Sequence, residues 1–124
     1  KAVDVAVLRA KETPYQVIDT KDGKRILNHF KLHSKNQNIH DLKQQIVLPP
    51  DLNLEIKTQS NPFTVKAGES TTTHFFILFD SKILEATGSK KINLTIKTVS
   101  DVTDEATTTQ EISLIGPNPT KEGI

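Results

Sequence analysis

Residues 3–37 read VDVAVLRAKETPYQVIDTKDGKRILNHFKLHSKNQ, and this stretch decides the fold class. Apolar and polar side chains alternate within residues 3–7 and again within residues 26–33. A period of two is typical of a β-strand with one buried face. The stretch therefore predicts a strand, a long connection with a sharp turn at Asp22-Gly23, and a second strand.

The same alternation continues along the rest of the chain. It covers residues 42–48, 52–57, 63–65, 71–79, 92–97 and 107–115. Pro49-Pro50 and Ala67-Gly68 are among the turn signals between these segments. The pattern predicts an all-β protein, an antiparallel β-sandwich of seven or eight strands. No window predicts a long helix.

Residues 71–79, TTTHFFILF, are apolar on both faces at their end. Phe75, Ile77 and Phe79 share one face of the predicted strand. Phe76 and Leu78 share the other. This segment has two interpretations: a central strand whose second face is covered by a neighbouring element, or an exposed apolar patch that docks a partner.

The length, charge balance and residue content of the chain exclude several classes of protein. The 124 residues suit one domain, and 16 basic against 15 acidic residues give no electrostatic case for nucleic acid or an anionic membrane. No apolar run is long enough for a membrane span, so we expect no membrane insertion by this domain. The absence of Cys excludes a disulfide, a thiolate nucleophile and an iron–sulfur ligand from this chain.

The ends of the chain lead to two expectations. The sequence opens on Lys1 and contains no Met, so we interpret it as a piece of a longer protein. We expect residues 1–116 to form the sandwich. Residues 117–124 are expected to be a flexible tail, because they hold prolines, a glycine and charges.

The histidines are the candidate metal ligands. His29 and His33 share one face of a predicted strand, but four residues of extended chain put them about 13 Å apart, too far for one ion. His74 could approach them from another strand, and His40 completes the set. We interpret these side chains as solvent-facing or hydrogen-bonded, with a metal site at His29, His33 or His74 as the alternative.

No other segment indicates catalytic chemistry. Asp101, Asp104 and Glu105 lie in a segment that predicts a solvated hairpin turn, with a weak calcium site as the alternative. Ser, His and Asp occur without a nucleophile elbow, and no phosphate-binding glycine loop is present. We therefore expect a domain with no catalytic residue and no small-molecule substrate.

Asn28 and Tyr15 stand out as structural residues. Asn28 falls on the inward face between Ile26 and Phe30, where a buried amide needs hydrogen-bond partners. We expect it to tie down the long connection that precedes it. Tyr15 follows Pro14, and we expect its ring to pack over an edge of the sandwich with its hydroxyl anchored.

Taken together, these residues resemble the C-terminal immunoglobulin-like domain of the FixG/CcoG/RdxA proteins. The matching positions are Val5, Val7, Leu8, Arg9, Pro14, Tyr15, Asp22, Gly23, Asn28, Phe30, Lys35 and Asn36. The turn around Gly68 and the closing Gly116-Pro117 also match. Phe30 replaces a commoner Tyr, and Leu114-Ile115 replace an aromatic residue of the family.

The resemblance implies an immunoglobulin-like sandwich and a setting. Members of this family are membrane-anchored ferredoxin-like proteins that assist assembly of haem–copper cytochrome oxidases, with copper reduction as the implied redox role. Two 4Fe–4S clusters are expected in the missing part of the parent protein, and none in this chain. The domain would lie at the periplasmic face of the bacterial inner membrane.

Three functions remain open from the sequence. The first is a non-catalytic domain that makes protein–protein contacts, with oxidase assembly components or with the parent's own membrane domain. The second is a free-standing immunoglobulin-like binding or adhesion module. The third is a copper-handling domain that uses the histidines.

Overall fold

A computed structural model of the chain describes residues 3–10, 14–21, 23–100 and 106–117. The described residues form nine strands and two short 3-10 helices, at Pro50–Leu52 and Ser81–Ile83. The strands are β1 (Val3–Arg9), β2 (Gln16–Thr20), β3 (Gly23–Asn36), β4 (Leu42–Val47), β5 (Glu55–Lys57), β6 (Phe63–Val65), β7 (Ser70–Asp80), β8 (Ser89–Val99) and β9 (Ala106–Ile115). No helix in this part of the chain is long and apolar enough to cross a membrane.

Two antiparallel sheets form the sandwich, which confirms the predicted fold class. Sheet A has the order β1-β3-β7-β5, with β2 also paired to β3. Sheet B has the order β6-β4-β8-β9. Every strand pair is antiparallel.

The strand count of nine corrects the prediction of seven or eight, and β2 is the additional strand. β1 pairs with residues 30–36 of β3, and β2 pairs with residues 23–27. The two short strands therefore lie end to end along one edge of β3. All five side chains of β2 are exposed, so no alternation of buried positions marks this strand in the sequence.

The core lies between the two sheets and follows the alternation. Sheet A contributes the inward side chains of β3 and β7, and sheet B those of β4, β8 and β9. The residues with no exposed surface include Ile26, Leu32, Phe75, Ile77, Phe79, Leu94, Ile96 and Leu114. Aromatic and branched side chains at alternate positions fill the space between the sheets, as in other sandwiches.

The strand expected over residues 52–57 is shorter in the structure. Pro50 begins a 3-10 turn, and Asn53 ends it with a φ of 53°, in the left-handed region. A strand cannot start before this turn has ended, so β5 covers Glu55–Lys57 alone. Leu52 and Leu54 still pack against the core.

Candidate functional site

The residues singled out near the start of the chain meet where the two sheets join. Arg9 Nη1 donates to the carbonyl of Pro14 at 3.2 Å and to Asn28 Oδ1 at 3.4 Å. Its Nη2 donates to the carbonyl of Ser113 on β9. We call Arg9, Asn28, Ser113 and Ile115 the clasp, because they connect sheet A to the last strand of sheet B.

Asn28 is the centre of the clasp. Its side chain is fully buried. The amide of Ile115 donates to Asn28 Oδ1 at 2.9 Å, and Asn28 Nδ2 donates to the carbonyl of Ile115 at 2.9 Å. The carboxamide thus pairs with both backbone groups of one residue, as a neighbouring strand does, and satisfies polar groups that would otherwise be buried without partners.

Arg9 combines these hydrogen bonds with packing. Its guanidinium lies 4.8 Å from the centre of the Phe30 ring, a cation–π distance. Partial burial lowers the pKa of Arg9, since desolvation disfavours its charged form. The group remains a cation at neutral pH, and its flat, branched donor set serves three separate acceptors at once.

The long connection expected between the first two predicted strands contains β2, which pairs with β3 along the same edge as β1. Ala10 extends the pairing of β1 by one bond, its amide donating to the carbonyl of His29 at 3.1 Å. Residues 11–13 lie outside the described residues, and Pro14, which follows them, accepts from Arg9 through its carbonyl. Tyr15 packs its ring, partly buried, against the core. Its hydroxyl has no hydrogen-bond partner in the described part of the chain.

Two glycines of the family pattern occupy backbone conformations that side chains disfavour. Gly23 has a φ of 124° and Gly68 a φ of 73°. Gly23 begins β3, where its carbonyl accepts from Thr20 Oγ1 at 2.6 Å. Asp22 lies outside the described residues.

Gly116 fits its position for a different reason. An added Cβ would lie 2.6 Å from Leu84 Cδ1 and 3.4 Å from Ile26 Cγ1. The absence of a side chain therefore allows the end of β9 to pass close to the core. Pro117 follows and is partly buried.

A second contact between the sheets was not anticipated from the sequence. Gln110 Nε2 on β9 donates to the carbonyl of Val5 at 3.3 Å, and the amide of Val7 donates to Gln110 Oε1 at 3.4 Å. Gln110 thereby occupies the edge of β1 that faces away from β3. Side chains that cover a strand edge prevent its pairing with another chain.

Buried polar side chains also connect the sheets near the opposite end of β3. Ser34 Oγ donates to Gln44 Oε1 at 2.5 Å, and Gln44 Nε2 donates to Thr98 Oγ1 at 3.2 Å. Ser34 and Gln44 are both fully buried. Ser34 and Gln44 are polar residues on the inward face of a strand. The same property identified Asn28 and could have identified these two residues from the sequence.

The structure brings two of the four histidines together. His29 Nε2 and His74 Nδ1 are 2.9 Å apart, across the pairing of β3 with β7. The His29 ring also stacks on Phe76, with centroids 4.3 Å apart. His33 instead contacts Thr72 Oγ1 at 3.2 Å, and His40 is exposed in the segment before β4.

The histidine pair lies on the outer face of sheet A, within a mixed apolar and basic surface. We call Leu8, His29, Lys31, His74 and Phe76 the outer patch. Leu8, Lys31 and His74 form one row across three strands, and Leu8 is 51% exposed. Leu78 on the same face is 8% exposed. The outer face of sheet A is therefore buried at Leu78 and accessible to solvent at the outer patch.

A groove of about 360 Å³ borders the outer patch. It is lined by Thr58, Ser60, Thr72, His74 and Phe76, among others. The nearby carboxylate of Glu55 accepts from Lys57 Nζ at 2.9 Å. This hydrogen bond, together with the charge of Lys57 and of Arg25, lowers the pKa of Glu55.

No cluster of three or more His, Cys, Asp or Glu side chains that could hold a metal ion occurs within residues 3–10, 14–21, 23–100 and 106–117. The calcium alternative at Asp101, Asp104 and Glu105 lies outside the described residues, as do residues 118–124 of the predicted tail. The described residues form a sandwich in which the outer face of sheet A exposes a partly apolar surface at the outer patch.

Comparison with known protein families matches residues 1–117 to a family of C-terminal domains. The matching family is described as "IG-like fold at C-terminal of FixG". No curated protein matches the chain in a sequence comparison.

Solved structures share the fold. The crystal structure of a FixG-related protein from Vibrio parahaemolyticus superposes with a TM-score of 0.65 at 15% identity, covering 93% of this chain and 96% of that one. The X-ray structure of the Northeast Structural Genomics Consortium target SoR45 has a TM-score of 0.59 at 11% identity, covering 94% and 88%. At these identities the likeness concerns the fold alone.

Proposed function

The chain belongs to the family of immunoglobulin-like domains at the C-terminus of FixG, and from this membership we propose that it is a non-catalytic contact domain of a FixG-type membrane protein. The membership confirms the resemblance drawn from the sequence. The parent would be an iron–sulfur redox protein that supports assembly of haem–copper cytochrome oxidases by reducing or delivering copper. The domain would lie on the periplasmic face of the inner membrane.

The outer patch is the observation that carries this proposal. Leu8 is half-exposed and Phe76 partly exposed on a sheet face where Lys31 supplies charge. Aromatic side chains are enriched at the apolar centre of protein–protein interfaces, and charged side chains such as Lys31 suit the polar rim around it. The contact would orient the domain against an oxidase assembly component or against the parent's own membrane domain.

The rigidity of the sandwich also supports a contact role. The clasp, Gln110 and the Ser34–Gln44 pair join the two sheets by hydrogen bonds at several points. A surface that is held in one shape loses little conformational entropy when it binds. The domain can therefore present the outer patch without first having to order it.

Complementation of a strain that lacks the parent gene tests the proposal. The parent carrying Leu8→Asp and Phe76→Ser on the outer patch should reach normal abundance yet restore less oxidase activity to the membranes. A parent carrying Lys91→Glu and Thr109→Asp on the outer face of sheet B is the matched control and should restore full activity. Full activity from a parent that lacks residues 1–117 would overturn the contact role.

The open reading frame separates this proposal from a free-standing binding module. A FixG-type parent should encode transmembrane helices and a C-x2-C-x2-C-x3-C-P segment upstream of the domain. The sequence of the whole gene is the measurement, and a gene without these elements would favour the binding module.

A further inference from the structure

The first half of β7 has an unpaired edge. β3 pairs with β7 along residues 70–80, whereas β5 pairs with it only from Phe76 to Leu78. Within the described residues, residues 70–75 therefore have a neighbouring strand on one side alone. We call this segment the open edge. It reads STTTHF and contains neither Lys nor Pro, which commonly protect an exposed strand edge.

One hydrogen bond shows which backbone groups face this edge. Thr58 Oγ1 donates to the carbonyl of His74 at 2.9 Å, so the backbone groups of His74 point away from β3. Successive residues of a strand direct their amides and carbonyls to opposite sides. Thr72 lies two residues before His74, and its amide and carbonyl therefore also point out of the sheet along the open edge.

The open edge borders the groove of about 360 Å³ beside the outer patch. Thr73 and Phe63 line the inner side of this groove, between the two sheets, and His74 and Phe76 line its outer side. Residues 58–60, in the segment that leads from sheet A to sheet B, line it as well. The backbone of the open edge is thus recessed between walls that belong to both sheets.

This recess admits an extended chain but not a second sandwich. Its volume is near the lower end of the range of about 300–1,000 Å³ for ligand sites, which suits a few residues of peptide. In a second copy of the domain the same edge would be recessed in the same way, and two recessed edges cannot come within hydrogen-bonding distance. A peptide in β conformation presents the amides and carbonyls that complement Thr72.

We propose that the open edge binds an extended acidic peptide as an added strand of sheet A. Alternate side chains of the peptide would point inward to Phe63, where an apolar group fits, and outward beside His74. Lys31 lies opposite His74 in the register, and its other neighbour is Leu8 and not an acidic residue. An acidic outward side chain therefore complements the charge there. This inference rests on the proposed contact function and gives the chemistry of its partner.

NMR titration of the whole chain with a capped heptapeptide of alternating Glu and Val tests the proposal. We expect shift changes at the amides of residues 70–76 and slower hydrogen exchange at the amide of Thr72. Two isomers of the peptide, each N-methylated at alternate amides, identify the binding mode. Only one isomer should bind, because only one set of amides faces β7. Equal binding of both isomers, or changes at β2 instead of residues 70–76, would overturn the proposal, as would no change at millimolar peptide.

Variants of the chain test the same contacts from the protein side. Thr72→Pro removes an amide that faces the edge and leaves the donors to β3 in place, so the affinity for the peptide should fall at least about fivefold. If this variant does not fold, the N-methylated isomers still test that bond. Lys31→Glu should also weaken binding, whereas Lys91→Glu on the outer face of sheet B is the matched control and should not. Equal effects of these two charge reversals would contradict the acidic preference.

The two proposals can fail separately. Peptide binding is measured on the purified chain, whereas the contact role of the outer patch is measured by complementation. Loss of oxidase activity in the outer-patch variants without any peptide binding would overturn the strand addition alone. Peptide binding together with full activity of those variants would overturn the contact role of the outer patch alone.

Discussion

One buried carboxamide, that of Asn28, determines how the two sheets meet. It provides both a donor and an acceptor at the spacing of a peptide group, and Ile115 offers the complementary pair. An aliphatic side chain of similar size would fill the space but leave those backbone groups without partners. Loss of the Asn28 side chain would therefore destabilise the protein mainly because the backbone amide and carbonyl of Ile115 would lose their hydrogen-bond partners.

Replacement of Asn28 by Ala should therefore be costly. We expect the free energy of unfolding to fall by about 3 kcal/mol, because Ile115 and Arg9 lose buried partners. Urea denaturation of the purified chain measures this loss. Asn93→Ala, at an exposed position of β8, is the control and should change stability by less than about 0.5 kcal/mol.

A double-mutant cycle with Arg9→Lys extends the same experiment. Lysine keeps the charge but cannot reach Pro14, Asn28 and Ser113 together. The two substitutions should be coupled by about 1 kcal/mol or more, because they remove parts of one network. Additive effects would contradict the description of the clasp as one unit.

Replacing Gly68 or Gly116 by Ala should destabilise the protein, for a different reason at each position. Gly68→Ala should cost about 1 kcal/mol, since its backbone has a φ of 73° and nothing lies near the added Cβ. Gly116→Ala should cost about 1–3 kcal/mol through a clash with Leu84. Stability measurements in a Leu84→Ala background distinguish the two, because only the Gly116 penalty should shrink there.

At this scale the sequence predicts which residues matter better than it predicts their partners. Asn28 is identifiable because a polar residue interrupts an inward row of apolar ones. Its partner Ile115 is 87 residues away in sequence, and no local pattern records that approach. Gln110 lies in the same row of β9 as Ile112 and Leu114, so it carries the same signal as Asn28, but its partners Val7 and Val5 are 103 and 105 residues away.

At the scale of strands, the edge of sheet A explains the roles of β1 and β2. A single long strand along β3 would leave one continuous edge exposed. In the structure this edge is divided between β1 and β2. At the break between these two strands, Arg9 donates to the carbonyl of Pro14. Gln110 covers the half formed by β1. Short, covered edges are a known protection against unwanted strand pairing.

Gln110→Ala should open this edge. We expect faster hydrogen exchange at the amide of Val7, which loses its acceptor, and a stability loss of about 1 kcal/mol. Amide exchange followed by NMR provides the measurement. Gln45→Ala, at an exposed position of β4, should leave the exchange of Val7 unchanged, and an equal effect of both variants would argue against edge protection.

Strands were predictable where one face is buried and the other is exposed, as in β3 and β8, although both strands extend two or three residues beyond the predicted ranges at each end. They were not predictable in β2, whose side chains are all exposed, or near Pro50, where a 3-10 turn interrupts an alternating pattern. In both places the side-chain period carries no information about hydrogen bonding between backbones. Pairing with β3 determines where β2 lies. The left-handed backbone of Asn53 determines where β5 can begin.

At the scale of the whole molecule, the hydrogen bonds between sheets should make unfolding a single transition. Tyr15 is the only tyrosine and no tryptophan is present, so intrinsic fluorescence reports on the junction beside the clasp. Circular dichroism reports on both sheets. We expect the two signals to share one urea midpoint. An earlier change in fluorescence would indicate that the junction opens before the sandwich unfolds.

The function of the whole molecule was less accessible from the sequence than its fold. Alternation and turn signals suffice for a sandwich, because burial acts on every strand. A contact surface depends on which few exposed side chains share a face, and that requires the register of β1, β3 and β7. The closeness of His29 and His74 follows from this register and not from their separation in sequence.

The clasp also bears on how the domain forms during synthesis. Its bonds join residues 87 and 104 positions apart, so β1 and β3 leave the ribosome long before β9. Until β9 emerges, the buried amide of Asn28 and the guanidinium of Arg9 have no partners in sheet B. The clasp can therefore form only after the last strand has been made, and a chain that stops short of β9 leaves these polar groups of sheet A without their partners.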